Sequence, residues 1–400
     1  MRLKFWHKNT LILACAGLFS LLIIYLLISA GDLENTPAAE KKIEIADSTL
    51  RGYKDGRLLW SMRSGYIWSN LSIDHAVVEN IYNGQFYDQD RLLLDKLSAR
   101  KVQVNAPQER FYADKGFRAV MYRNYAPDQP VDVWGEQLNY SASDKKSRLQ
   151  KQIQVVDRGT QISAERAEVD HSSNQITFGK DALLSRPDSS LTADSLLIDL
   201  NRDIFTAQKN VELIRQPEDS ADEFKKQKTV IYTDRLQANV SKDTANLTMS
   251  GNILIKQSDK QAVGDQASFD EINQLFKLRG RASVVFDKTE TLLDVTTRQK
   301  LKNKEILQEK LQLNSEAIAI NTDTKDFEAE GSVQVTVKGK QASARKAVYK
   351  RAAEKIYISD NVLLRQADGS TVKAELVVVD IATEKFTAQG QAESTIYLQR

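Results

Sequence analysis

Leu191–Leu213 reads LTADSLLIDLNRDIFTAQKNVEL, and the fold follows from it because the chain writes this stretch repeatedly. In its second half Phe205, Ala207, Val211 and Leu213 fall on one side, with Thr206, Gln208 and Glu212 on the other. Period-two alternation marks a strand with one apolar and one wet face. The first half puts Leu191 and Ala193 on one face, then slips phase so that Leu196 and Ile198 share it. One extra residue at Asp194-Ser195, a bulge or a corner, produces such a slip. Asn201-Arg202-Asp203 between the halves is turn chemistry. The unit is therefore strand, turn, strand, restarting after about 29 residues.

The Ala193-Asp194 signature recurs at Gly135-Glu136, Ala164-Glu165, Thr233-Asp234, Gly264-Asp265, Ser315-Glu316, Ala344-Arg345 and Ala374-Glu375. The second strand returns as Leu247-Met249-Gly251-Ile253, Phe276-Leu278-Gly280-Ala282 and Phe327-Ala329-Gly331-Val333, among others. Most intervals are 29 to 31 residues; two are longer and carry the polar insertions Gln216–Lys228 and Asp287–Lys310. A hairpin-sized unit cannot bury its apolar face alone, so neighbours must stack and share a core. If each unit gives one strand to each of two facing sheets, eight units span roughly 40 Å. The expectation is a mainly β, two-layered column with apolar walls inside and unpaired strand edges at both ends.

The 56 basic and 54 acidic residues balance to a formal net charge of +2, which argues against a nucleic-acid partner. Cys15 is the single cysteine, so neither a disulfide framework nor a cysteine-built metal site is available. Residues 1–10 form a basic tip, with Arg2, Lys4 and Lys8. Leu11–Ile28 is an uncharged run of 18 residues, long enough at about 27 Å for a bilayer core. Basic residues before it, and Asp32 and Glu34 after it, predict a retained transmembrane helix over 11–29 with a cytoplasmic N-terminus and the bulk across the membrane. Residues 30–42 read as a tether, 43–216 as a first β lobe opening on less regular copies, 217–229 as a charged linker, and 230–400 as a second lobe. Arg298–Leu311 reads as an exposed short helix or a loop.

Signals for catalysis fail. His7, His75 and His171 are scattered, and no phosphate-binding glycine-lysine loop occurs. The recurrent acids Glu136, Glu165, Asp194, Asp234, Asp265, Glu316 and Glu375 occupy one station per unit, which marks a turn or bulge requirement in place of a carboxylate pair. No enzyme, cofactor or metal is expected. The inward wall remains: Phe178, Leu184, Leu196, Ile198, Phe205, Leu213, Met249, Ile253, Phe269 and Phe276. These residues either fill a core or line a groove between splayed sheets, and the sequence alone does not separate the two. Lys180, Lys209, Gly251, Gly280, Gly331, Asp360 and Gly390 fill a core poorly and leave room for a ligand on the second reading.

The basic tip, single span and β array resemble the lipopolysaccharide-export protein family LptC. Tyr53-Lys54-Asp55-Gly56-Arg57-Leu58-Leu59-Trp60-Ser61-Met62 is similar to the D-G-x-x-x-W opening of that domain. The units from about Thr229 onward, with A-D-x-L and G-x-V stations, look like the LptA and OstA-type bridge domains. The resemblance implies a β-jellyroll in each lobe, with a hydrophobic groove for acyl chains. It implies as partners an LptBFG-type ABC transporter, an LptA-type bridge protein, lipopolysaccharide or a similar acylated lipid, and the inner membrane. The alternative is a membrane-tethered β scaffold with a filled core and no cargo.

Overall fold

The computed structural model describes residues 42–396, apart from 71–74, 89–90, 106, 123–128, 180, 218–225, 240–245, 293–307, 382 and 384. The expected membrane helix over 11–29 and Lys180 lie outside the described residues. Among the described residues no helix is long and apolar enough to cross a membrane.

The chain is one antiparallel meander. It opens with β1 (Lys42–Lys54), β2 (Arg57–Asn70), β3 (His75–Asp88), β4 (Arg91–Asn105) and β5 (Arg110–Met121), each paired with the next. These strands carry the less regular copies and join the same ladder. β6 (Val131–Gly135) and β7 (Gln137–Ser141) both pair with β5 and with β8 (Lys146–Asp157), so they are two halves of one broken strand. β9 (Thr160–Asp170) follows, then two more broken strands, β10 (Gln175–Phe178) with β11 (Ala182–Ser185), and β12 (Ser189–Ala193) with β13 (Ser195–Asp199). The break between β12 and β13 falls at Asp194, where the apolar phase slips.

From β14 (Ile204–Arg215) the repeat is regular: β15 (Thr229–Asn239), β16 (Asn246–Lys256), β17 (Lys260–Asp270) and β18 (Leu275–Phe286). A short 3-10 helix, η1 (Thr289–Leu292), precedes β19 (Leu311–Asn321). Then come β20 (Phe327–Val337), β21 (Lys340–Lys350), β22 (Lys355–Arg365), β23 (Thr371–Asp380) and the halves β24 (Lys385–Gln389) and β25 (Glu393–Thr395). The segment 217–229, read above as a linker, joins β14 to β15, and those strands pair from Ile204↔Asn239 to Arg215↔Thr229.

Each long strand has a corner at its middle. The ladder register shifts between Ser250 and Ile253, between Arg279 and Ala282, and between Glu330 and Val333. In alternate strands two successive residues at the shift have positive φ: Lys209-Asn210, Gly251-Asn252, Gly280-Arg281, Gly331-Ser332 and Asp360-Asn361. Left-handed backbone re-aims the chain, so the two halves of a strand enter different layers. This corrects the expectation of one strand per sheet from each unit. Every strand belongs to both sheets, each unit advances the ladder by two strands, and eight units reach roughly 80 Å.

The corner also corrects the reading of the poor core-fillers as room for a ligand. Lys209, Gly251, Gly280, Gly331, Asp360 and Gly390 all have positive φ and are there for backbone shape. A Cβ on Gly280 would sit 2.7 Å from the Asp265 carboxylate, and one on Gly331 2.6 Å from that of Glu316. The repeated acid lies over the corner of the next strand and accepts a hydrogen bond from its second left-handed residue. Asn210 Nδ2 donates to Asp194 at 3.0 Å, Asn252 Nδ2 to Asp234 at 2.9 Å, and Ser332 Oγ to Glu316 at 3.1 Å. Arg281 Nη2 donates to Asp265 at 2.6 Å, and this hydrogen bond, with the guanidinium charge, holds that carboxyl below the usual range. Asp194, Asp234, Asp265 and Glu316 are thus corner clamps.

Candidate functional site

The corner fixes what faces inward. In β16 the residues two positions either side of Gly251 are Met249 and Ile253; those four positions away are Leu247 and Ile255. The nearer pair lies at the base of the fold. Across the array the base row runs Ala207, Leu236, Met249, Ala267, Leu278, Ile318, Ala329, Ala347, Ile358 and Val377, each cross-strand partner of the next. All ten are buried. Small and large side chains interleave there, which lets the two layers close tightly along the corners.

The outer pairs form two walls. One runs Leu213, Ile231, Ile255, Ala262, Val284, Leu313, Val335, Ala342, Leu364 and Val372. The other runs Phe205, Ala238, Leu247, Phe269, Phe276, Ile320, Phe327, Tyr349, Ile356 and Val379. From β15 to β17 every member of both walls is only half-buried, although it points inward. The layers are closed at their base and splayed above it. The result is a trough.

A cavity of about 430 Å³ occupies this trough. Leu213, Ile231, Ile255, Ala262 and Val284 line one side, Leu247, Phe269, Phe276, Ile320 and Phe327 the other, with Met249 at the base. Its size falls within the usual range for small-ligand sites, and its interior offers apolar contact with few polar groups. Arg215, Lys260, Lys325 and Arg351 reach its margin, against one acid, Glu271. Lys260 holds Asp259 at 3.0 Å, so part of that charge is already paired. The site can shield a hydrocarbon chain and set positive charge beside whatever polar group the chain carries.

Of the ten inward residues singled out from the sequence, Leu213, Met249, Phe269 and Phe276 line this cavity. Phe178, Leu184, Leu196, Ile198, Phe205 and Ile253 do not; they are packed in the core, each 7% exposed or less. The cavity also uses Ile231, Leu247, Ile255, Ala262 and Ile320, which the sequence reading passed over. Counting two and four places out from each corner residue finds them, but the corner must first be recognised as a corner.

The same stations in β8 to β13 are filled. The positions corresponding to the walls hold Val155, Ile162, Val169, Ile176, Leu191 and Ile198, and all are buried. Farther toward β1 the interior is aromatic: Phe111 meets Trp60 and Phe86 edge-on at 4.9 Å each, and Phe86 lies 4.8 Å from Tyr140. Hydrogen bonds close the mouth of this part. His171 Nε2 and Ser147 Oγ lie 2.8 Å apart, and Arg91 Nη2 donates to the His171 carbonyl at 3.2 Å. Burial, helped by the Arg91 charge, pushes the imidazole of His171 down to about 4. A second hollow of about 380 Å³, lined by Trp68, Val77, Val104, His75, Gln103, Arg110 and others, lies at strand ends of β2 to β5 and mixes polar with apolar walls.

No protein-family model and no curated protein matches the chain. Among solved structures, 28% of this chain aligns with 75% of the chain of LptH from Pseudomonas aeruginosa, the LptA-homologous periplasmic component of that organism's lipopolysaccharide transport device. The identity is 18% and the TM-score 0.24, a likeness that says nothing of function.

Proposed function

We propose that the chain is a membrane-anchored, periplasmic component of a lipopolysaccharide-export bridge. It takes an acylated lipid from an ABC transporter and passes it along the trough to the next bridge component. One observation carries this reading: inward-facing wall residues from β15 to β17 remain half-buried above a fully buried base, around the 430 Å³ cavity. A folded chain ordinarily buries such residues against each other. An occupant that covers them gains the apolar burial that the fold leaves undone. A 12-carbon acyl chain in water costs on the order of 9 kcal/mol at ~0.8 kcal/mol per methylene, so a lipid crossing an aqueous space needs an apolar path of this kind. The cations at the margin suit an acidic head group. Such a path shields the cargo and does no chemical work, so nucleotide hydrolysis belongs to the transporter. The sequence resemblance to LptC at the N-terminus, and to LptA-type units beyond Thr229, supports the same reading.

The competing reading, a tethered scaffold with a dry interior, draws support from the filled stations of β8 to β13. Mass spectrometry of the full chain purified from membranes separates the two. The expected result is co-purified acylated lipid that Phe276→Arg depletes while the circular dichroism spectrum stays unchanged. A lipid-free wild-type chain, or equal lipid in the variant, would overturn the carrier reading in favour of the scaffold.

A further inference from the structure

The trough is not open throughout. Along the first wall, Leu213, Ile231, Ile255 and Ala262 are half-buried, Val284 and Leu313 are buried, and Val335 onward is half-buried again. Along the second, Ile320 is half-buried, Phe327, Tyr349 and Ile356 are buried, and Val379 is half-buried. The covered part of the first wall lies on β18 and β19, the two strands that the longest insertion joins. That insertion turns back into the trough as η1, where Leu292 is only 6% exposed and borders the cavity beside Phe327 and Tyr349.

Two contacts hold it there. The Tyr349 hydroxyl donates to the carbonyl of Leu292, tying the insertion to the opposite wall. Thr289 donates through both its N–H and its Oγ1 to the Glu309 carbonyl, at 2.9 Å each, and so pins the two ends of the insertion together. A backbone carbonyl lowered into an apolar trough is costly unless it finds a donor. Tyr349 is the one residue of its wall row with a hydroxyl to offer.

We infer that Leu292 is a stop set across the trough, which ends the cavity and limits how far along the array an acyl chain lying in it extends. This rests on the lipid-carrying reading above. It makes Leu292 and Tyr349 length-selecting residues, one by bulk and the other as the positioning group that holds it. Upstream of the stop the trough accepts hydrocarbon; downstream strands receive it when the stop is displaced.

The test places a photoreactive benzoylphenylalanine at Ile255, on the cavity side, or at Leu364, beyond the stop, in the full chain irradiated with lipopolysaccharide micelles. The expected pattern is an adduct at Ile255 with little at Leu364. Leu292→Ala, by removing bulk, and Tyr349→Phe should each raise the Leu364 yield relative to that at Ile255 by at least about fivefold, for Tyr349→Phe the change that loss of one hydrogen bond commonly makes. Tyr349→Phe keeps the ring and its packing, so it reads out the stop even if Leu292→Ala fails to fold. Equal yields at the two positions in the unaltered chain, or a Leu364 yield that neither variant moves, would overturn the stop while leaving the carrier reading intact. No adduct at Ile255 would overturn both.

Discussion

The stretch from β8 to β13 and the stretch from β15 to β23 use one plan and reach different interiors. Both put mostly apolar residues two and four places from each corner. Apart from Ser147, the outer stations of the first stretch are β-branched or leucine, Ile162, Val169, Ile176 and Ile198 among them, and they are buried. In the second, small residues recur at those stations, Ala238, Ala262 and Ala342, and the walls stay half-buried except at Val284, Leu313, Phe327, Tyr349 and Ile356. The mouth differs as well. In the first stretch Ser147 and His171 close it, and Arg186 Nε donates to Thr160 Oγ1 at 3.0 Å while its guanidinium covers the Phe205 ring at 5.9 Å. In the second the turns bond within themselves, as Asn273 does to Asp270, and to the turn beside them, as Thr322 Oγ1 does to the Gln274 carbonyl at 3.1 Å. Whether a repeated β unit becomes a core or a trough is thus decided by the outermost inward residue and by what spans the rim.

The sharpest way to break this comparison is to truncate equivalent stations. Ile162→Ala should cost about 3–4 kcal/mol in urea unfolding, because a filled site loses its contacts and leaves a void. Phe269→Ala removes a larger side chain, yet should cost about 1 kcal/mol, since its ring faces a cavity already. Equal losses would mean that the second interior is packed like the first. Next in size is the corner. Gly280→Ala must hold positive φ and push the Asp265 carboxylate aside, for roughly 2–3 kcal/mol. Lys209→Gly, at the equivalent corner, should be neutral or stabilising, because Lys209 already bears a positive φ of 61°.

Acid should separate the two stretches too. In the unfolded chain the His171 imidazole takes up a proton below about 6.5, but in the folded protein only near 4. The folded state therefore binds fewer protons in that window, and stability falls as pH drops through it. Between pH 7 and pH 5 the loss should be about 2 kcal/mol, read from urea midpoints, and His171→Gln should remove most of that pH dependence. Asp265, whose pKa is lowered by its hydrogen bond to Arg281 and by that cation's charge, has the same sign in a more acid window: its contribution is present above the ordinary aspartate pKa and fades only as pH falls below it. The smallest expected effect belongs to that exposed pair. Arg281→Ala should leave the unfolding midpoint within error, and a clear shift would mean that the corner clamp carries more than local geometry.

Much of this was legible beforehand in specific residues. The phase slip at Asp194-Ser195 is a corner, Asn201-Arg202-Asp203 is a turn, and the once-per-unit acids serve the corner. How each strand is shared between the two layers is not legible, because alternation gives a strand's faces and not its path. The sequence pattern of β16 looks the same whether the strand is straight or folded at Gly251. The cavity was half legible for the same reason. Phe205 and Phe276 are both inward, aromatic and four places before a corner residue, yet one is sealed under Arg186 and the other borders open space. That difference is made by residues far away in the chain, which periodicity does not reach. Leu292 lay wholly outside the repeat, so no repeat could have flagged it.

Pairing restricted to sequence neighbours has a further result for how such a chain changes over generations. Excising β20 and β21 would bring β19 against β22, and the surviving partners would be Ile320 with Ile356 and Leu313 with Leu364, wall against wall. An in-frame gain or loss of one repeat therefore leaves every remaining station correctly addressed. Reach across a gap becomes a trait that duplication can adjust in steps of two strands, about 10 Å each, with no need to invent a new fold.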